Sequence, residues 1–216
     1  MIKNMLFDFD GSIVNTRKLI IDLYNDIAEE NNFNKIEETD LEYLGNLSYA
    51  EKAKHLNIPF YKIQYLFIRV LKNYKNHLSS IGMIDGMKEV LYKLKENNIR
   101  LGIISSNSAK TISEYFQKQN ISIFDEIVSS KSLFGKDSSI NKYINKYKLD
   151  KSETLYVGDE VRDILACKKC NLGIIAVTWG FDKSQALAAE SPDFLVNSPE
   201  EIFEVLMNVE KNCGER

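Results

Sequence analysis

The segment Met5–Thr16, MLFDFDGSIVNT, sets two carboxylates, Asp8 and Asp10, at the end of an apolar run and follows them at once with a glycine turn. If that run is a strand, side-chain alternation sends Asp8 and Asp10 to one side and Phe7 and Phe9 to the other, so both acids enter the same space. Three later apolar runs also end on polar groups. Ser105, Ser106 and Asn107 follow RLGII, Lys136 lies in the loop beyond EIVS, and Gly158, Asp159 and Asp163 follow TLYV. Two bare carboxylates ~4 Å apart repel by roughly 4 kcal/mol at an effective dielectric of ~20, and Asp159 and Asp163 add to that cost. A cation or a shared proton must offset it. Lys136 supplies one positive charge, and hard carboxylate oxygens with no His or Cys beside them suit Mg2+ rather than zinc or copper. Ser105, Ser106 and Asn107 stand just before a helical pattern, whose free N–H groups attract anions. Acids, Mg2+, a lysine and an anion cradle together suggest phosphoryl transfer.

These residues can act together only if one scaffold gathers four distant segments. From Gly82 onward, short apolar runs alternate with helix-length amphipathic segments. The runs are Arg100–Ser105, Glu126–Ser129, Thr154–Gly158, Ile174–Thr178 and Asp193–Val196, with a further strand over Ile2–Phe9. Helical patterns cover Gly86–Asn97, Ala109–Gln119, Asp137–Tyr147, Val161–Asn171, Lys183–Glu190 and Pro199–Asn208. Strands apolar on both faces and separated by helices predict an α/β fold, a Rossmann-like parallel sheet with helices on both faces. Ligands of such sheets bind beyond the carboxyl ends of the strands, where the polar groups above fall.

Between Asn15 and Ser80 the rhythm changes. Thr16–Phe33, Thr39–Leu56 and Pro59–Leu78 read as consecutive helices with no convincing strand between them. In the last, Phe60, Ile63, Leu66, Phe67, Val70, Leu71, Tyr74 and Leu78 recur at three and four residues, a stripe that must pack on neighbouring helices. The expected organisation is a core of residues 1–14 and 81–216 with an all-helical insert over 15–80. Leu44–Lys52, LGNLSYAEK, has the glycine and small polar residues of a loop that contacts a substrate.

The 216 residues are 44% hydrophobic and 27% charged, as in ordinary globular proteins, so disorder is not indicated. Lys+Arg 28 against Asp+Glu 31 leaves a net charge of -3, with no general pull towards nucleic acid or anionic lipid. Lys142, Lys146 and Lys148 are interleaved with apolar residues and read as a solvated helix face. Nothing resembles a signal sequence or a membrane span, so a cytoplasmic protein with neither nucleic-acid nor membrane partner is expected. Three cysteines argue against a disulfide framework. Cys167 and Cys170, in CKKC, lack a second ligand pair and read as small buried residues of a helix. Asn171 follows where a left-handed helix end is expected, which asparagine tolerates.

In order and spacing, the four strand-end segments resemble the motifs of the haloacid dehalogenase-like hydrolases. DFDGSIVNT is similar to their first motif, with Asp8 and Asp10 in its acidic positions, and LGIISSNS to the second, with Ser105 in its Ser/Thr position. LFGKDSSI carries the lysine of the third at Lys136, and LYVGDEVRD resembles the fourth, with Asp159 and Asp163. The tail, TWGF followed by LAAESPDFLVNSPEEI, resembles the phosphoglycolate phosphatase-like branch, with its helical cap inserted after the first motif. The resemblance implies that Asp8 attacks phosphorus, that Asp10 gives and takes the proton, and that Ser105, Ser106 and Lys136 bind the phosphoryl group. It implies a Mg2+ site drawn from Asp8, Asp10 (through its backbone carbonyl), Asp159 and, supporting the water shell, Asp163.

Four ionised aspartates and a phosphate dianion total about −6 against about +3 from Mg2+ and Lys136, so one protonated carboxyl, on Asp10, is physically reasonable. Asp10 also argues against dehalogenase chemistry, because a halide leaving group needs no proton. Two departures stand out: Ser12 replaces the commoner threonine, and Asn15, at the neck of the cap, stands where many members have aspartate. The expected function is a Mg2+-dependent phosphatase acting on a small phosphate monoester, with 2-phosphoglycolate the leading candidate, as a monomer or homodimer. A sugar phosphomutase or nucleotidase on the same scaffold is the enzyme alternative. A phospho-receiver or regulatory binding module is the non-enzyme alternative, although receivers are smaller, lack the insert and place the phosphoacceptor after a middle strand.

Overall fold

The computed structural model describes residues 1–78, 81–130 and 135–214, with side chains to residue 209. The expected far boundary of the insert at Ser80, Leu133 and Phe134 of the third motif, and the C-terminal end at Arg216 lie outside the described residues. Six strands form one parallel sheet: β1 (Asn4–Phe7), β2 (Arg100–Ser105), β3 (Glu126–Ser129), β4 (Thr154–Gly158), β5 (Gly173–Val177) and β6 (Phe194–Val196). Their spatial order is β3-β2-β1-β4-β5-β6. The chain therefore starts at the middle of the sheet and winds outwards to both edges, the doubly wound arrangement in which the crevice opens beside the first strand.

Alternation along the strands sorts two apolar layers. Met5, Phe7, Ile103, Val157 and Ile175 face one layer, filled by helices α5 (Met87–Glu96), α6 (Ala109–Lys118) and α10 (Pro199–Gly214). Leu6, Ile104, Tyr156 and Ile174 face the other, covered by α7 (Lys136–Tyr147), α8 (Val161–Cys170) and α9 (Ser184–Ala189). Cys167 and Cys170 are buried in that second layer among Leu6, Ile164 and Leu172. Phe7 is level with Ile103 of β2 and with Val157 of β4, so the residues that follow β1, β2 and β4 emerge side by side.

β1 is shorter than the expected Ile2–Phe9 because the Phe9 carbonyl is taken by a turn, accepting from Ile13 N at 3.0 Å and from Val14 N at 3.1 Å. α10 runs past the expected Asn208 to Gly214. Val14 then bridges Met83 in antiparallel fashion, so the two chain segments that leave and re-enter the core lie together. Between them, among the described residues, there are helices and no strand: α1 (Arg17–Asn31), α2 (Leu41–Leu44), α3 (Tyr49–His55) and α4 (Ile63–Tyr74), with short 3-10 turns at Glu38–Asp40 and Phe60–Lys62.

The Thr39–Leu56 pattern is thus two helices. Gly45 to Ser48 interrupts it, and Ser48 restarts the helix through a reciprocal capping box with Glu51. Tyr24, Ala28, Leu44 and Leu56 give this insert its own small core. No described helix is long and apolar enough to cross a membrane.

α8 ends on Asn171 in the left-handed region, φ 50°. Replacing it with alanine should cost about 1 kcal/mol because alanine lacks the short polar side chain whose local hydrogen bonding lets asparagine tolerate this conformation, whereas Asn171→Gly should be neutral or stabilising; urea unfolding of the two variants checks the contrast.

Candidate active site

The parity that buries Phe7 and Phe9 turns Asp8 to the opposite layer, where α7 and α8 begin. Lys136, in the first turn of α7, reaches into that gap and donates to Asp8 Oδ2 at 2.6 Å and to Asp163 Oδ1 at 2.5 Å. All three side chains are nearly inaccessible, at 3%, 2% and 0% exposure. Burial pulls the Lys136 pKa down, but Asp163 and Asp8 outweigh it and hold the ammonium above its ordinary pKa. Burial raises Asp8, offset in part by Lys136 and Arg162, and lifts Asp163 to about 6, offset chiefly by Lys136. Asp8 also accepts from the N–H of Phe9 at 2.8 Å, which fixes its rotamer. Asp163 is held from a second side as well. With Glu160 it forms the capping box of α8, accepting from the Glu160 N–H at 3.2 Å.

The carboxylates that gather most closely are Asp8, Glu160 and Asp163, each offering an oxygen within 4.8 Å of the others. This differs from the expected set of Asp8, Asp10, Asp159 and Asp163. Asp159 is completely buried, but it is turned to Ser12, whose hydroxyl donates at 2.9 Å, and to the N–H of Phe181 at 2.8 Å. It is wedged between two glycines. A Cβ on Gly11, where φ is +77°, would lie 2.2 Å from Asp159 Oδ2, and one on Gly180 would lie 2.1 Å from its Cβ. Asp159 therefore braces the turn after β1 against the loop after β5. Burial, then Glu160, Asp8 and Asp163, push its carboxyl well above the usual range.

Asp10 has its own donors, accepting from Asn107 Nδ2 at 2.6 Å and from the Tyr74 hydroxyl at 2.5 Å. Burial raises its pKa against the opposing pull of those two donors. Ser105 is buried and accepts from the Asn107 N–H at 3.0 Å, while the Ser106 hydroxyl accepts from Arg162 at 3.2 Å.

The remaining groups of the site come from outside the expected set. Arg162 pairs with Glu160, and the attraction outweighs burial to keep Glu160 below its ordinary pKa. From the insert, Tyr49 donates to Glu160 at 2.5 Å and Lys52 pairs with Asp182 at 2.7 Å. Glu160 and Arg162 sit inside the GDEVRD segment that marked the site. Tyr49 and Lys52 fall in the LGNLSYAEK loop. Tyr74 belongs to a stripe that accounts for it fully as packing, and no sequence signal set its hydroxyl apart. The donor chemistry fits a hard divalent cation: Asp8, Glu160 and Asp163 offer converging carboxylate oxygens in a buried space where acids outnumber bases.

Comparison with known proteins places the chain and its fold among described ones. Residues 5–177 match the family model described as haloacid dehalogenase-like hydrolase. A phosphoglycolate phosphatase from Synechococcus elongatus is 27% identical over 203 residues, covering 94% of this chain and 96% of that protein. The pyrophosphatase PpaX of Listeria innocua is 25% identical over 215 residues, 97% of this chain and 98% of that one. Among solved structures, a predicted phosphatase from Clostridium acetobutylicum superimposes with a TM-score of 0.81 at 18% identity, over 96% of this chain and 99% of that chain.

Lys136→Met leaves two buried carboxylates without their shared cation and should cost about 3–5 kcal/mol. Adding Asp163→Asn to that variant should recover part of the loss. Urea denaturation of the single and double variants measures both.

Proposed function

The chain belongs to the haloacid dehalogenase-like hydrolases, and from that membership we propose a Mg2+-dependent phosphatase that hydrolyses phosphate monoesters through a phosphorylated Asp8. The observation that carries this reading is the buried Lys136 joining Asp8 to Asp163 at the carboxyl end of the central strand. An Asp8 oxygen attacks phosphorus, the new O–P bond forms as the ester O–P bond breaks, and Asp10 delivers a proton to the departing oxygen. Asp10 then takes a proton from water as that water attacks the phosphorus of the intermediate, which frees Asp8 and inorganic phosphate. Asn107 and Tyr74 hold Asp10 in place for both transfers. Its raised pKa suits a group that must carry a proton near neutrality.

Ser105, Ser106 and Lys136 bind the phosphoryl oxygens as negative charge spreads over them. Asp8, Glu160 and Asp163 would hold the Mg2+, with Asp159 supporting the loops that frame it. When bound, the ion neutralises charge on the nucleophile and on the transferring group, which lets an anion approach a carboxylate. In this reading residues 1–14 and 81–216 are the catalytic core, and the 15–80 insert is a cap that excludes water. Tyr49 and Lys52 are its contacts with the strand ends. 2-Phosphoglycolate, named by one relative and expected from the tail sequence, and pyrophosphate, named by another, are the first substrates to assay.

Released phosphate should be measured with p-nitrophenyl phosphate as a general ester. Wild type should turn over with Mg2+ and stop with EDTA, and Asp8→Asn should lower kcat by at least about a thousandfold. If wild type and Asp8→Asn are equally inert with Mg2+ present, the reading fails; phosphate moved within a sugar rather than released would point to a mutase.

A further inference from the structure

A cavity of about 290 Å³ lies between the strand ends and the helical insert. One end is polar and belongs to the reacting groups, with Asp10, Ser106 and Arg162 in its wall. Away from them the wall is hydrocarbon, supplied by Ile21 of α1, Leu41 of α2 and Ile63, Phe67 and Leu71 of α4. Two polar groups that reach the wall from the insert are already engaged by acids of the core: Lys52 with Asp182, and Tyr49 with Glu160. Arg17 is a lining cation with no ion pair among the described residues, and it sits where the cavity adjoins a second pocket of about 280 Å³ beside α1.

Resting on the phosphatase reading above, we propose that the preferred substrate is a phosphate monoester of an apolar alcohol, its hydrocarbon tail occupying this cavity. At the ~30 Å³ per molecule of liquid water, the space holds roughly ten non-hydrogen atoms. The five of a glycolate leaving group would fill about half of it and leave the apolar wall supplied by α1, α2 and α4 uncovered. An alkyl tail of six to eight carbons fills the space and removes its own surface from water at the same time. Continuity with Asp10 and Ser106 makes the tail the part of the substrate that leaves, since those residues line the end where the ester bond breaks.

The test is a series of ethyl, butyl, hexyl and octyl phosphate beside 2-phosphoglycolate and p-nitrophenyl phosphate, with Mg2+ present and released phosphate as the readout. Burial of one methylene corresponds to about a fourfold gain, so kcat/KM should climb by about that factor per carbon and level off near six to eight. Ile21→Trp, which narrows the cavity, should lower the octyl-to-ethyl ratio of kcat/KM at least tenfold, with thermal unfolding confirming that the variant is folded. A flat series, or 2-phosphoglycolate as the best substrate while p-nitrophenyl phosphate is hydrolysed, overturns the apolar leaving group and leaves the phosphatase standing. Turnover of none of the esters overturns both.

Discussion

A single buried ammonium holds this site together. Lys136 bonds two carboxylates that arrive from different elements, one just after β1 and one in the first turn of α8. Neither acid is tolerable there without it, because burial raises the cost of each charge and each raises the cost of the other. The geometry that satisfies Lys136 also fixes the rest. It requires α7 and α8 to start side by side on one face of the sheet, and β1 to lie beside β4 with Asp8 turned to that face. The strand parity that buries Phe7 and Phe9 in the opposite layer delivers that orientation without further help.

Much of this was legible in the sequence, and what was not has a physical reason. β2, β3 and β4 fall on the residues expected, because a buried parallel strand is an apolar run that turn residues cut off sharply. The strand-end residues could be identified because residue type and position follow from that pattern. The direction in which a carboxylate's oxygens turn does not, as Asp159 shows. It occupies the expected strand end and is as buried as any group in the site, yet its oxygens turn to Ser12 and Phe181, while Glu160, Asp8 and Asp163 still act on its charge. Glu160 joins the cluster instead, through a helix-capping role that a sequence reading of catalytic acids has no reason to weigh. Tyr74 shows the same limit from the apolar side, since its ring satisfies a packing stripe while its hydroxyl serves Asp10.

The seam between insert and core mixes few polar bonds with a largely apolar interior. Tyr49, Lys52 and Tyr74 reach across it, and each ends on an acid: Glu160, Asp182 and Asp10. The amide of Lys183 also donates to the carbonyl of Gly45, in the interruption between α2 and α3, at 2.9 Å. These contacts are directional and short. They fix the register of the two parts more strongly than apolar packing could, because a hydrogen bond tolerates little sliding whereas hydrocarbon surfaces tolerate a good deal.

The central position of β1 also matters before the protein is complete. Asn4 pairs with Arg100 on one side and with Thr154 on the other, so the first strand synthesised must wait for both neighbours. At ~5–20 residues per second, the interval before the second partner emerges is on the order of ten seconds. During that time an apolar strand with two open edges is in the company of α1 to α4, which pack on one another without waiting for the rest of the sheet. Insertion of the helices directly after β1 therefore gives the nascent chain something to fold while its central strand is still unpaired, and it ties the placement of Asp8 to the later steps of sheet assembly.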